Sequence, residues 1–139
     1  MKKIEKKLDN IVTDIIRDSS NFPEGSKYLK ADFHLHTKVD KEFKTETSID
    51  EEYTEKYVNE LKKKEIKIGA ITNHNKFDKD EFEVIQTAAM DNDIFLLPGV
   101  ELSVNDGKHG LHTLVIFAPE DSEKDVNNTS KIEKFLSLA

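Results

Sequence analysis

The chain has five histidines and no cysteine. Any metal site it builds must therefore draw on imidazole, carboxylate and water, and thiolate catalysis and disulfides are excluded. His34 and His36 form an H-x-H pair. On a strand, residues i and i+2 point to one face, so the two rings project together from backbone positions about 7 Å apart. That spacing lets both nitrogens reach one ion at about 2.0–2.1 Å. His74 lies two residues past the apolar run IKIGAIT, inside T-N-H-N. Glu101 lies in LPGVELSV, where Val100, Leu102 and Val104 take one face and Glu101 and Ser103 the other. A carboxylate in an apolar strand is costly unless it is paired or holds a metal, the alternative being an edge strand that turns Glu101 to solvent. His112 opens the next apolar run, and a turn at NDGKHG returns it to the end of the sheet where Glu101 lies. His109 sits within that turn, where a histidine is ordinarily exposed. His112 is the expected ligand and His109 the alternative.

The elements that must position these residues are set by periodicity. Ile4, Leu8, Ile11, Val12, Ile15 and Ile16 recur at helical spacing and predict a helix over 2–17, within an N-terminal unit 1–18. Its expected role is to cover an open edge or end of the domain C-terminal to it, the alternative being to bind a partner. Pro23 and Gly25 break the pattern in a linker, 19–27. Partial alternation predicts a first strand over 28–36. A helix is expected from a cap at Ser48 or Asp50 to about residue 65, with Tyr53, Tyr57, Val58 and Leu61 inward. The run 66–72 reads as a parallel strand buried on both faces. Asp78 and Glu81 form a capping-box-like start to a helix through 91, with Phe82, Ile85, Ala88 and Ala89 inward. A strand over 94–104, interrupted at Pro98-Gly99, is joined by a short turn to a strand over 111–117, and a last short helix fits 130–138. Strands alternating with helices predict an α/β fold with a mainly parallel sheet and one antiparallel hairpin.

In that fold, four histidines and Glu101 come from the ends of successive strands to one rim, the edge of a parallel sheet where chemistry is usually found. No P-loop, dinucleotide fingerprint or nucleophile-elbow pattern competes with it. The chain has 139 residues and a formal net charge of −7, enough for one domain or part of one and unsuited to a broad electrostatic grip on nucleic acid. Apolar residues make up 36% and charged residues 35%, the balance of a folded, well-solvated chain rather than a disordered one. There is no apolar run long enough to span a membrane. The first residues lack the apolar core and cleavage site of a secretory signal. A cytoplasmic setting is the expectation.

These segments resemble the polymerase and histidinol phosphatase (PHP) domain family. KADFHLHT, residues 30–37, looks like its first motif, with His34 and His36 as paired ligands. IGAITNHNKFD, residues 68–78, looks like the second, usually written T-D-H, with His74 as the ligand. LLPGVELSV, residues 96–104, looks like the third, with Glu101 as a metal-bridging carboxylate, and HTLVIFA, residues 112–118, is similar to the family's next, histidine-led strand. The wording looks closest to PHP domains at the N-terminus of large proteins with an SMC-like or AAA-like ATPase region. The resemblance implies a distorted (β/α)7 barrel. It also implies two or three divalent ions (Zn, Mn or Fe) and hydrolysis of phosphate esters, nucleic-acid ends among them, by metal-activated water.

The chain departs from the family in three places. Asn73 stands where the family has Asp, which suggests a residue that touches a ligand rather than the ion. The first motif is normally succeeded by another acidic or histidine ligand, and both Asp40 and Glu42 qualify, Asp40 being preferred. The later motifs, a further ligand and a terminal D-x-H pair, are absent from these 139 residues. A full barrel needs about 200 residues or more by analogy with the eight-stranded barrel. The expectation is thus that 28–139 form the N-terminal portion, about half, of a PHP-like domain, a fragment of a longer protein. The expected metal ligands are His34, His36, Asp40, His74, Glu101 and His112. Open strand edges would favour self-association or a domain swap. Two functional readings result: a metal-dependent phosphoesterase module, weak or inactive as this chain alone, or a catalytically inactive binding or regulatory module.

Overall fold

A computed structural model describes residues 28–40, 51–104, 110–126 and 128–139. The helix expected over 2–17, the linker 19–27, the cap at Ser48 or Asp50, Glu42 and His109 lie outside the described residues. Within them the order is β1 (Lys30–Leu35), α1 (Glu51–Lys63), β2 (Ile66–His74), α2 (Lys79–Met90), β3 (Phe95–Val104), β4 (Leu111–Ile116), a 3-10 turn (Pro119–Ser122) and α3 (Lys131–Leu136). The four strands form one sheet in the order β1-β2-β3-β4. β1 and β2 are parallel, as are β2 and β3, and β3 and β4 form the antiparallel pair. The architecture is mixed α/β, with a curled sheet that makes a half-barrel. No described helix is long and apolar enough to cross a membrane.

One face of the sheet is closed by α1 and α2. Tyr53, Val58 and Leu61 of α1 and Phe82, Ile85 and Ala89 of α2 pack with Ile66, Ile71, Ile94 and Leu96. Each large aliphatic or aromatic side chain buried there is worth about 1.5–3 kcal/mol of transfer free energy. Tyr57 and Ala88, also expected inward, are partly buried against this core. Acidic Glu51 and Glu52 open α1 and basic Lys62 and Lys63 close it, which suits the helix dipole. The Asp78 side chain accepts the Glu81 N–H and caps α2. Ser130 and Glu133 form a full reciprocal capping box on α3.

The strands differ from expectation in three places. β3 runs unbroken through Pro98 and Gly99. Pro98 still pairs in register with Ile71, and its carbonyl accepts the Phe117 N–H at 2.9 Å, so only the bond that proline cannot donate is missing. β2 extends two residues further than expected and ends on His74 itself. β1 ends at Leu35, after an irregular register between Asp32 and Leu35, so His36 stands just past the strand.

Candidate metal centre

Strand register delivers the polar side chains to the C-terminal rim. His74 on β2 is the direct partner of Glu101 on β3. Paired residues of neighbouring strands share a face, so ring and carboxylate meet. Ser103 pairs with His112 in the hairpin, which puts His112 on the Glu101 face, one diagonal step away. The loop after β2 locks this register. Asn75 adopts a left-handed backbone (φ 47), which asparagine tolerates. Its N–H donates to the Glu101 carbonyl at 2.8 Å, and its Oδ1 accepts the Ser103 N–H at 3.1 Å.

Four nitrogens converge on one carboxylate. Glu101 Oε2 lies 2.8 Å from His34 Nε2, 3.2 Å from His36 Nε2 and 3.1 Å from His74 Nε2. Glu101 Oε1 contacts His112 Nδ1. A second carboxylate holds the far side of the two middle rings. Asp40 Oδ2 lies 2.8 Å from His36 Nδ1 and 3.0 Å from His74 Nδ1, and it accepts the His74 backbone N–H at 2.6 Å. Exposure is graded across the cluster. The side chains of Asp40 and Glu101 are at most 1% exposed and that of His74 5%, whereas those of His34 and His112 are 49% and 56% exposed. The centre has a buried floor of carboxylates and an open wall of imidazoles.

The donor chemistry fits a divalent cation. A neutral imidazole carries one proton. Where Asp40 accepts the Nδ1 protons of His36 and His74, their Nε2 atoms offer bare lone pairs to a carboxylate oxygen that is itself only an acceptor. Contacts near 3.1 Å between such atoms require protons or a cation among them. Two ligands bound to one ion at 2.0–2.1 Å stand about 3.3 Å apart at a tetrahedral angle, close to the spacing of these atoms. Burial pushes the Glu101 carboxyl up. The hydrogen bonds from His34 and His112, and the positive charge that His74 and His34 carry when protonated, outweigh it and hold the group below the usual carboxylate range. Three groups of residues are close enough to share an ion: His34, His36 and Glu101; His36, Asp40 and His74; and His74, Glu101 and His112. His36, His74 and Glu101 each occur in two of them, so the three overlap in one centre.

A layer of buried polar groups holds the loop after β1. Thr37 donates its N–H to Asn73 Oδ1 at 2.8 Å, and Asn73 Nδ2 donates to Thr37 Oγ1 at 2.8 Å. Thr37 Oγ1 in turn donates to Glu81 Oε2 at 2.5 Å. The Asp40 N–H closes back on the Thr37 carbonyl at 2.9 Å. Tyr57 donates its hydroxyl to the His36 carbonyl at 3.2 Å, and the Lys38 N–H donates to the Tyr53 hydroxyl oxygen at 3.0 Å. Burial, opposed by that Lys38 N–H, pushes the Tyr53 hydroxyl up to about 12.

The structure thus gathers His34, His36, Asp40, His74, Glu101 and His112 at one rim. Asn73 touches none of the cluster side chains in these bonds and grips the neighbour of His36 instead. Sequence reasoning missed Thr37 and Glu81, and it read Tyr53 and Tyr57 only as packing residues. The signal for Glu81 was present but pointed elsewhere: it occupies the third helical position after Asp78, where a capping-box glutamate belongs. No family model matches the chain, and no curated protein matches it either.

Proposed function

We propose that this cluster is the metal centre of a phosphoester hydrolase, built on the first half of a PHP-type (β/α)7 barrel. One observation carries the reading: three imidazole Nε2 atoms, from two sequence-distant motifs, meet one buried carboxylate oxygen within 3.2 Å. Divalent ions bound there would supply positive charge for a phosphate group and acidify a water. His34, His36, His74 and Glu101 would hold the first ion. His112, on the exposed side of Glu101, is placed to reach a second. Asp40 fixes His36 and His74 with their Nε2 atoms facing Glu101. The open wall on the His34 and His112 side would admit a substrate.

The β1 and β4 edges of the sheet are where the remaining strands of a longer ATPase-containing chain, or a second copy, would add. Nucleic-acid ends are a substrate class within this reading, met through such a longer protein, because this segment carries a net charge of −7. A cytoplasmic setting belongs to the same reading.

Asn73 favours a second reading, an inactive binding or regulatory module. Its carboxamide is committed to Thr37 in both directions and offers no acid–base group. Titrating metal-stripped protein with Zn²⁺ and Mn²⁺ by calorimetry, then assaying it on an aryl phosphate, separates the two. Binding with turnover that is lost in His34→Ala/His36→Ala supports the hydrolase. Binding without turnover on several phosphoesters in the longer protein supports the second reading, and no binding sinks the hydrolase.

A further inference from the structure

We infer that Glu81 is a positioning residue of the metal centre, acting through Thr37 on the loop that carries His36 and Asp40. The inference rests on the proposed metal centre. Glu81 lies in the first turn of α2, where a carboxylate ordinarily faces solvent or completes a capping box. Asp78 already holds the Glu81 N–H, so the cap is complete without the Glu81 side chain. That side chain turns inward instead and is 3% exposed. Oε2 takes the Thr37 hydroxyl, and the Val39 N–H also faces the carboxyl. Oε1 is buried and, among the described residues, without a hydrogen bond of good geometry. A half-satisfied buried carboxyl is expensive for folding alone. Its position gives it a different use.

The hydrogen bonds run in one direction. Asn73 Nδ2 donates to Thr37 Oγ1, so the hydroxyl proton must point away from Asn73, and Glu81 Oε2 receives it. With both bonds made, the Thr37 side chain is fixed in one rotamer and its N–H is held on Asn73 Oδ1. Thr37 directly follows His36, and its carbonyl accepts the Asp40 N–H. The same residue therefore sets where the His36 ring leaves the backbone and where the turn delivers Asp40. Asp40 Oδ2 then meets the Nδ1 atoms of His36 and His74. Helix α2 thus reaches two of the imidazoles through one hydroxyl, without touching either ring.

The test compares wild type, Glu81→Gln, Glu81→Ala and Thr37→Val. Each is stripped with chelator, checked by circular dichroism and titrated with Zn²⁺ by calorimetry and with Co²⁺ by visible absorption. Glutamine keeps an acceptor for Thr37, so its Zn²⁺ Kd should stay within about threefold of wild type, with the same Co²⁺ spectrum. Glu81→Ala and Thr37→Val should weaken Zn²⁺ by about tenfold to a hundredfold and alter the Co²⁺ bands, as loss of a ligand's support does. Thr37→Val keeps the shape of the side chain, so it carries the test where the alanine variant does not fold. Wild-type affinity and spectrum in both of these variants, or a glutamine variant as weak as alanine, would overturn the inference while leaving the metal centre standing. A wild type that binds neither ion overturns the metal reading and this inference with it.

Discussion

Asp40 and Glu101 stand on opposite sides of the same two imidazoles. Asp40 meets the Nδ1 atoms of His36 and His74 at 2.8 and 3.0 Å, and Glu101 meets their Nε2 atoms at 3.2 and 3.1 Å. A histidine offers an ion one nitrogen and uses the other to fix its orientation and tautomer. In the proposed metal centre the two carboxylates would divide the work: Asp40 would aim the rings, and Glu101 would join them at the ion.

That division predicts unequal losses. Asp40→Asn should weaken Zn²⁺ binding by about tenfold to a hundredfold, as loss of an outer partner does. Glu101→Gln should remove binding more completely, because it converts the one carboxylate shared by all three Nε2 atoms. The stabilisation conferred by metal, about RT ln(1 + [L]/Kd), should vanish with it. Thermal melts with and without Zn²⁺ measure both variants. Equal losses would place Asp40 on the ion itself.

Asn73→Asp should destabilise the metal-free protein at neutral pH. Asn73 and Glu81 are both buried and share the Thr37 hydroxyl, which has one proton to give. An aspartate there could not donate to Thr37 Oγ1 and would compete with Glu81 for that proton. The expected cost is about 1–3 kcal/mol, the penalty for a buried polar group left unsatisfied. On acidification a protonated aspartic acid regains a donor, so the deficit should shrink as pH falls. Urea melts at neutral and mildly acidic pH check the sign.

Glu81 itself gives the wild type a pH dependence in the presence of chelator. Burial pushes its carboxyl up. The Thr37 hydroxyl, the Val39 N–H and Lys38 oppose burial, Asp78 adds to it, and the net shift is upward. Tyr53 and Tyr57 also face this group, and burial holds their hydroxyls above the usual phenol value, so they remain neutral here. Between the unfolded glutamate pKa and the raised native one, the native state holds more protons than the unfolded state. Stability must then fall as pH rises through that window and level off above the native pKa. Glu81→Gln should lack this descending limb and equal or exceed wild type at neutral pH. A glutamine profile parallel to wild type would assign the limb to another group.

The histidine rim was legible in the sequence because strand periodicity is local. H-x-H brings two rings to the same carboxylate even though β1 ends between them at Leu35, and the VEL alternation turns Glu101 away from the helix-packed core. The hairpin fixes His112 by counting across one turn. Asp40 was readable only through the family resemblance, because a turn residue has no periodicity of its own. Glu81 was misread for a physical reason. Its sequence context satisfies a capping box, and only the approach of Thr37, 44 residues away in sequence, draws the side chain inward. The break expected at Pro98-Gly99 failed similarly. A missing N–H interrupts a strand only where the ladder needs that donor, and the pairing of β3 with both neighbours holds it through.

Gly99 offers a test of how tightly the floor of the centre is packed. It lies two residues before Glu101 on the same face of β3, paired with Thr72 of β2. A Cβ at this position would stand 2.8 Å from Thr72 Cγ2 and 3.0 Å from the Val115 carbonyl oxygen. The first contact belongs to a side chain, which can be trimmed. The second belongs to backbone held in the β3–β4 ladder, which cannot move without shifting His112 and its strand. Gly99→Ala should therefore cost about 1–3 kcal/mol by overpacking. It should also weaken Zn²⁺ binding, because the β3–β4 spacing sets how Glu101 and His112 meet. Adding Thr72→Ser removes Cγ2 and should recover only part of the stability, leaving the carbonyl contact in place. Full recovery in the double variant, measured by urea denaturation, would show that the Thr72 methyl is the whole obstacle and that the β3–β4 spacing is free to adjust.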